Sequence, residues 1–233
     1  MARITRKELK TDKFALEVEH TAEFFDQHRT EIYRYGAAVL VVLLLIFGYL
    51  WYSRKQQAVR EQALSQAIQV QEAPVGGVSA NGGLTFPTQE AKDQEATKAF
   101  TELKNKYSGS TEAEVAGYYL GSIQADQGKM AEAEKSLQEV SQKGDEKFAA
   151  LAKLSLAQIY FADGRATQGE STLRDLMAHP TVFVSKEQAQ ITLARYLMAR
   201  NPAEARKLLE PLRTAGGSVG QVALTLYGEL PTQ

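Results

Sequence analysis

The chain has 233 residues, 44% hydrophobic and 24% charged, with 27 Lys plus Arg against 28 Asp plus Glu and a net charge of −1. Such a composition suits one or two folded domains and lacks the basic field that non-specific nucleic-acid binding needs, so no nucleic-acid partner is expected. With no cysteine in the sequence, disulfides, thiolate metal sites, a cysteine nucleophile and a lipidated N-terminal cysteine are excluded together.

Residues 1–34 read as a charged N-terminal tail with seven bases and seven acids. Phe14, Val18, Ala22, Phe25 and Ile32 recur near helical spacing. Two readings stay open: an amphipathic helix lying on a membrane surface, and a partly ordered tail. The cancelling charges weaken any attraction to anionic lipid.

Residues 35–52, YGAAVLVVLLLIFGYLWY, hold no charge. As a helix they would span roughly 27 Å, close to the ~30 Å hydrocarbon core of a bilayer. Arg34 closes one end, and Arg54 with Lys55 closes the other. Tyr33, Tyr35, Tyr49, Trp51 and Tyr52 stand where interfacial aromatic residues belong. A cleaved signal peptide starts nearer the N-terminus and ends in a small-residue site, so a retained single-pass transmembrane helix is expected. Seven cations precede the span and three (Arg54, Lys55 and Arg60) follow it, which favours a cytoplasmic N-terminus by the positive-inside rule. Counted over twenty residues on each side, the ratio is two to three and points the other way.

Beyond the span, residues 53–72 continue the helix. Residues 73–88 contain PVGGVSANGGLTFP, with four glycines and two prolines, and read as a flexible linker. Residues 89–233 carry a repeat. Ala133, Leu137 and Val140 recur thirty-six residues later as Gly169, Leu173 and Leu176, and again as Ala205, Leu209 and Leu212. Upstream of each triplet lies a second apolar helix, marked by Leu120-Gly121, Leu156-Ala157 and Leu193-Ala194. The pairs are joined by turns at Gly128, at Gly164 and at Asn201-Pro202. Small residues at 121, 133, 157, 194 and 205 permit close approach of antiparallel helices, and the large apolar residues beside them fill the seam. One pair cannot bury both its faces, so stacked neighbours supply the core. A further second-type helix is expected around Ala96, Phe100, Leu103 and Tyr107, with Val59, Ala63, Ala67 and Ile68 as its partner. A last helix is expected over 219–230.

The Leu-Gly, Gly, Ala, Leu, Val pattern at 120, 121, 128, 133, 137 and 140 resembles the tetratricopeptide repeat. It departs in its period of thirty-six, in lacking the early Trp, and in Gly169 where Ala is usual. The fold class implied is all-α: a single N-terminal transmembrane helix followed by a solenoid of antiparallel helix pairs. One anchor followed by a degenerate array of this size also resembles the ancillary SecYEG translocon subunit (YfgM-like) family. That resemblance implies a bacterial inner-membrane protein, N-terminus cytoplasmic and repeats extracytoplasmic. Its partners would be the Sec translocon, periplasmic chaperones or unfolded clients. A structural scaffold for an envelope complex, in cell division or outer-membrane assembly, is the alternative reading.

No enzyme is expected. His20, His28 and His179 are scattered, no metal or phosphate motif is present, and acidic pairs such as Glu132 and Glu134 read as solvated charge; no cofactor is implied. In tetratricopeptide arrays the first helix of each pair lines the inner groove. Mapping that pattern gives Tyr118, Leu154, Phe161, Ile191 and Met198 as a protein-binding groove, with Ser122, Gln158 and Arg195 beside them. A mostly apolar lining of this kind fits an apolar segment of another protein.

Overall fold

The computed structural model describes residues 29–77 and 83–231. The two readings of the tail concern residues outside these, apart from the six that open the first helix. That helix, α1 (Arg29–Glu72), is continuous over 44 residues, beginning ahead of Tyr35 and running on through the segment expected to prolong it. The chain divides into two compact units, residues 1–58 and 59–233.

In the first unit, the large apolar side chains between Tyr33 and Tyr52 are all at least half exposed. Apolar residues surround the helix with no polar face, and none of its most apolar eighteen residues is buried. By length and composition it can cross a bilayer.

The second unit is a solenoid of helix pairs. The end of α1 precedes α2 (Gln89–Lys106), α3 (Thr111–Asp126), α4 (Met130–Lys143), α5 (Glu146–Ala162), α6 (Ala166–Ala178), α7 (Lys186–Leu197) and α8 (Pro202–Leu209). A 3-10 turn (Glu210–Leu212) then leads to α9 (Gly217–Gly228). Helix starts are set by short polar side chains. Thr88, Ser110, Asp145, Ser185 and Asn201 each accept a backbone N–H from the first turn that follows. The turns inside the second and third pairs use Gly128 and Gly164 at φ 76° and 73°. This left-handed geometry lets the N–H of Lys129 reach back to the Gln124 carbonyl and that of Arg165 to the Tyr160 carbonyl, each at 2.8 Å.

Burial follows the thirty-six-residue period. Ala133, Leu137, Leu173, Ala205 and Leu209 are wholly buried, and Val140, Leu176 and Leu212 nearly so. The first-type helices contribute Leu120, Leu156, Ala157, Leu193 and Ala194 to the same seams. Among the described residues three clusters form the core. The first joins Ala67 of α1, with Ala63 and Ile68 beside it, to Ala96, Phe100 and Leu103 of α2 and to Leu120 of α3. This is the pairing expected from the sequence: the end of α1 is the first helix of the array. The second is centred on Leu137 and Leu156, and the third runs from α5 to α9.

The stretch expected to be a flexible linker is tied at its base. Val75 and Phe86 form an isolated bridge, with Gly76 N–H on the Phe86 carbonyl (2.9 Å) and Phe86 N–H on the Pro74 carbonyl (3.0 Å). Two backbone hydrogen bonds bring the ends of the glycine-rich segment together and return the chain to α2.

Candidate functional site

The five groove residues expected from the sequence fall into two groups. Leu154, Phe161, Ile191 and Met198 belong to the α5–α9 cluster, Leu154 buried within it and the other three half-buried against it. Tyr118 packs on the middle cluster, its ring tilted toward Phe148 at 6.3 Å. Phe161 is held on two sides. Its ring stacks on Tyr196 at 3.7 Å and 10°, and its edge occupies the space that a methyl group on Gly169 would need. That contact explains why the repeat carries Gly where its other copies carry Ala133 and Ala205.

A second aromatic row runs from α2 through α3 and α5 to the loop before α7. Phe100 stacks on Tyr119 at 4.8 Å, Tyr118 meets Tyr119 edge-on, and Phe148 meets Phe183 edge-on at 5.3 Å. Burial raises the Tyr119 hydroxyl above its ordinary pKa, with the nearby Glu72 charge adding to the effect.

Open space lies one register step away from the five. Between α3 and α5 a cavity of about 350 Å³ is lined by Ser122, Ala125, Ser155 and Gln158, over a floor containing Leu137 and Ile159. Ser122 and Gln158 come from the mapped groove pattern, whereas none of the five apolar candidates lines this space. No periodicity in the sequence tells which apolar side chains of these helices are taken up in packing between them.

The second helices of the pairs are joined by ion pairs instead. Lys104 of α2 meets Glu139 of α4 at 2.7 Å, and Arg174 of α6 meets Glu204 of α8 at 2.9 Å. Between them, Arg165 at the start of α6 grips Glu134 of α4 through its two terminal guanidinium nitrogens, at 2.6 and 2.8 Å. Glu134 is therefore not the solvated charge expected from the sequence: its partner is thirty-one residues away, and no local pattern reveals it. The Arg165 hydrogen bonds hold the Glu134 carboxyl below its ordinary pKa, and the Lys104 hydrogen bond does the same for Glu139. Arg60, counted as a flank of the membrane span, lies 3.1 Å from the buried carboxylate of Glu112. His179 pairs with Asp175 at 3.1 Å on an exposed helix end, and no cluster of potential metal ligands occurs among the described residues.

Against this geometry, a family model described as a tetratricopeptide repeat-like domain matches residues 23–207. Neither the curated proteins nor the solved structures contain a match to the chain.

Proposed function

This chain belongs to the tetratricopeptide repeat-like family, and from that premise we propose that it is a membrane-anchored protein-interaction module assisting secretion or envelope-protein biogenesis beside the Sec translocon. The observation that carries the proposal is a juxtaposition within one chain. A helix with apolar side chains exposed all round, α1 from Tyr33 to Tyr52, continues into a helical repeat array of a kind typical of non-catalytic interaction modules. An apolar surface of that extent calls for a non-aqueous surrounding. The array offers first helices rich in apolar and aromatic side chains, where a partner segment can lie.

The layout of one anchor and a degenerate array resembles that of the YfgM-like family. It supports a bacterial inner-membrane location, with the translocon, periplasmic chaperones or unfolded clients as partners. Cations concentrated before the span support a cytoplasmic N-terminus and extracytoplasmic repeats. Crosslinking of the full chain in its native membrane, read by mass spectrometry, tests the proposal. Crosslinks to translocon subunits or exported clients are the expected result. Crosslinks confined to division or outer-membrane assembly proteins would replace it with a scaffold role. Protease added to spheroplasts should digest the repeats and spare the tail; digestion only after lysis would reverse the orientation.

A further inference from the structure

The cavity between α3 and α5 has one charged lining residue, Asp126. Asp126 is the last residue of α3 and is exposed, and no ion pair to it exists among the described residues. Several other carboxylates of the array do meet a cation: Glu112, Glu134, Glu139, Asp163, Asp175 and Glu204. A carboxylate at a helix C-terminus is also misplaced for helix stability, because the carbonyl end of the helix dipole is itself negative. The last turns of α2, α4 and α8 follow the favourable rule with Lys104 and Lys106, with Lys143, and with Arg206 and Lys207. The last turn of α3 holds no base. Asp126 and the negative end of the α3 dipole thus add their potential at the mouth of a cavity whose floor is apolar. Leu137 and Ile159 are buried there, while Met130 at the rim remains 43% exposed. The other polar lining groups, Ser122, Ser155 and Gln158, are uncharged hydrogen-bonding groups suited to a passing peptide backbone.

We infer that this cavity takes an apolar side chain from a cationic segment of a partner protein, with a neighbouring Lys or Arg of that segment pairing with Asp126. The inference rests on the interaction-module reading above and adds the chemistry of the occupant. Arg195, the one charge of the mapped groove, belongs to α7 and is not part of this lining.

The test uses the full chain in lipid nanodiscs and three nine-residue peptides that differ only at two central positions, Leu-Lys, Leu-Glu and Ser-Lys. Binding is followed by fluorescence anisotropy. Leu-Lys should bind best, with a preference over Leu-Glu of about fivefold, the scale of an exposed ion pair, and the preference should shrink as salt is raised. Asp126→Asn should abolish the preference while keeping the dependence on Leu, and Asp126→Lys should invert it. Asp126 is exposed and its removal relieves a helix end, so thermal melting of both variants should match or exceed that of the parent chain. A preference for Leu-Lys that persists in both variants would overturn the inference, as would equal binding of Leu-Lys and Leu-Glu to the parent. Equal binding of those two with loss of Ser-Lys would leave the interaction module standing and remove only the charge rule. Failure of all three peptides, together with no crosslinked client in the native membrane, would remove both.

Discussion

A methyl group on Gly169 would lie 2.6 Å from Cδ1 of Phe161 and closer still to Cε1. The ring cannot simply swing aside, because Tyr196 covers its face at 3.7 Å. Gly169→Ala gains about 1 kcal/mol of helix propensity but overpacks the seam, which costs about 1–3 kcal/mol. We expect a net loss of stability, read as a lower denaturant midpoint together with a changed near-ultraviolet signal from the displaced Phe161–Tyr196 stack. Unchanged midpoint and spectrum would show that the ring is free to move. Glu134 makes a second prediction at this scale. Its carboxyl is held below the ordinary value of 4.5 by Arg165, so the pair stabilises the fold fully above that pH. The contribution is lost as pH falls through the lowered folded value, where the carboxylate takes up its proton. The stability gap between the parent chain and Glu134→Gln should therefore be constant at neutral pH and close in acid. A gap that persists unchanged in strong acid, where the carboxylate is fully protonated, would assign the effect to packing.

Among the elements, α1 performs two tasks along one continuous helix. Its apolar part is exposed and carries no charge between Tyr35 and Tyr52, whereas beyond Val59 it becomes one-sided, burying Ala67 with Ala63 and Ile68 beside it. Substituting Leu43→Arg and Leu44→Arg places two cations mid-span, each costing about 2.5–3.5 kcal/mol of insertion. The doubly substituted chain should leave the membrane fraction on carbonate extraction while its helical array still melts cooperatively. Retention in the membrane would mean that something other than α1 holds the protein there. The second helices behave differently: α2, α4, α6 and α8 are linked in series by Lys104–Glu139, Arg165–Glu134 and Arg174–Glu204. Each link joins one repeat to the next, which is where a solenoid takes its coupling.

For the whole array, that nearest-neighbour coupling decides how damage spreads. Leu137 and Leu173 are both wholly buried one period apart, and truncating either to Ala should cost about 2–5 kcal/mol. Because the repeats share their seams, either substitution should lower a single cooperative transition instead of melting one repeat alone. Two separated transitions would show that the clusters around Leu137 and Leu173 fold independently. The expected magnitude is a sizeable part of the stability of a domain of this size, so calorimetry of the full chain in detergent reads it directly.

Periodicity carried most of the architecture, because the residues that define it act locally and in register. The apolar run 35–52 sets a helix that water cannot cover. The Leu137–Leu173–Leu209 spacing sets which faces meet, and Gly128, Gly164 and Asn201 set where the pairs turn. These depend on helix geometry and on transfer from water, both of which operate on the sequence as written. What the tertiary structure alone decided is which of many apolar or charged groups finds which partner. The fold lays the Phe161 ring on Tyr196 and over Gly169. Glu134 was expected in solvent, and the fold delivers Arg165 to it. The open cavity falls to Ser122, Gln158 and Asp126, residues with no apolar signal of their own. Most of these pairings turn on side chains thirty or more residues apart meeting within a few ångströms, and the stacking of one helix pair on the next brings them there.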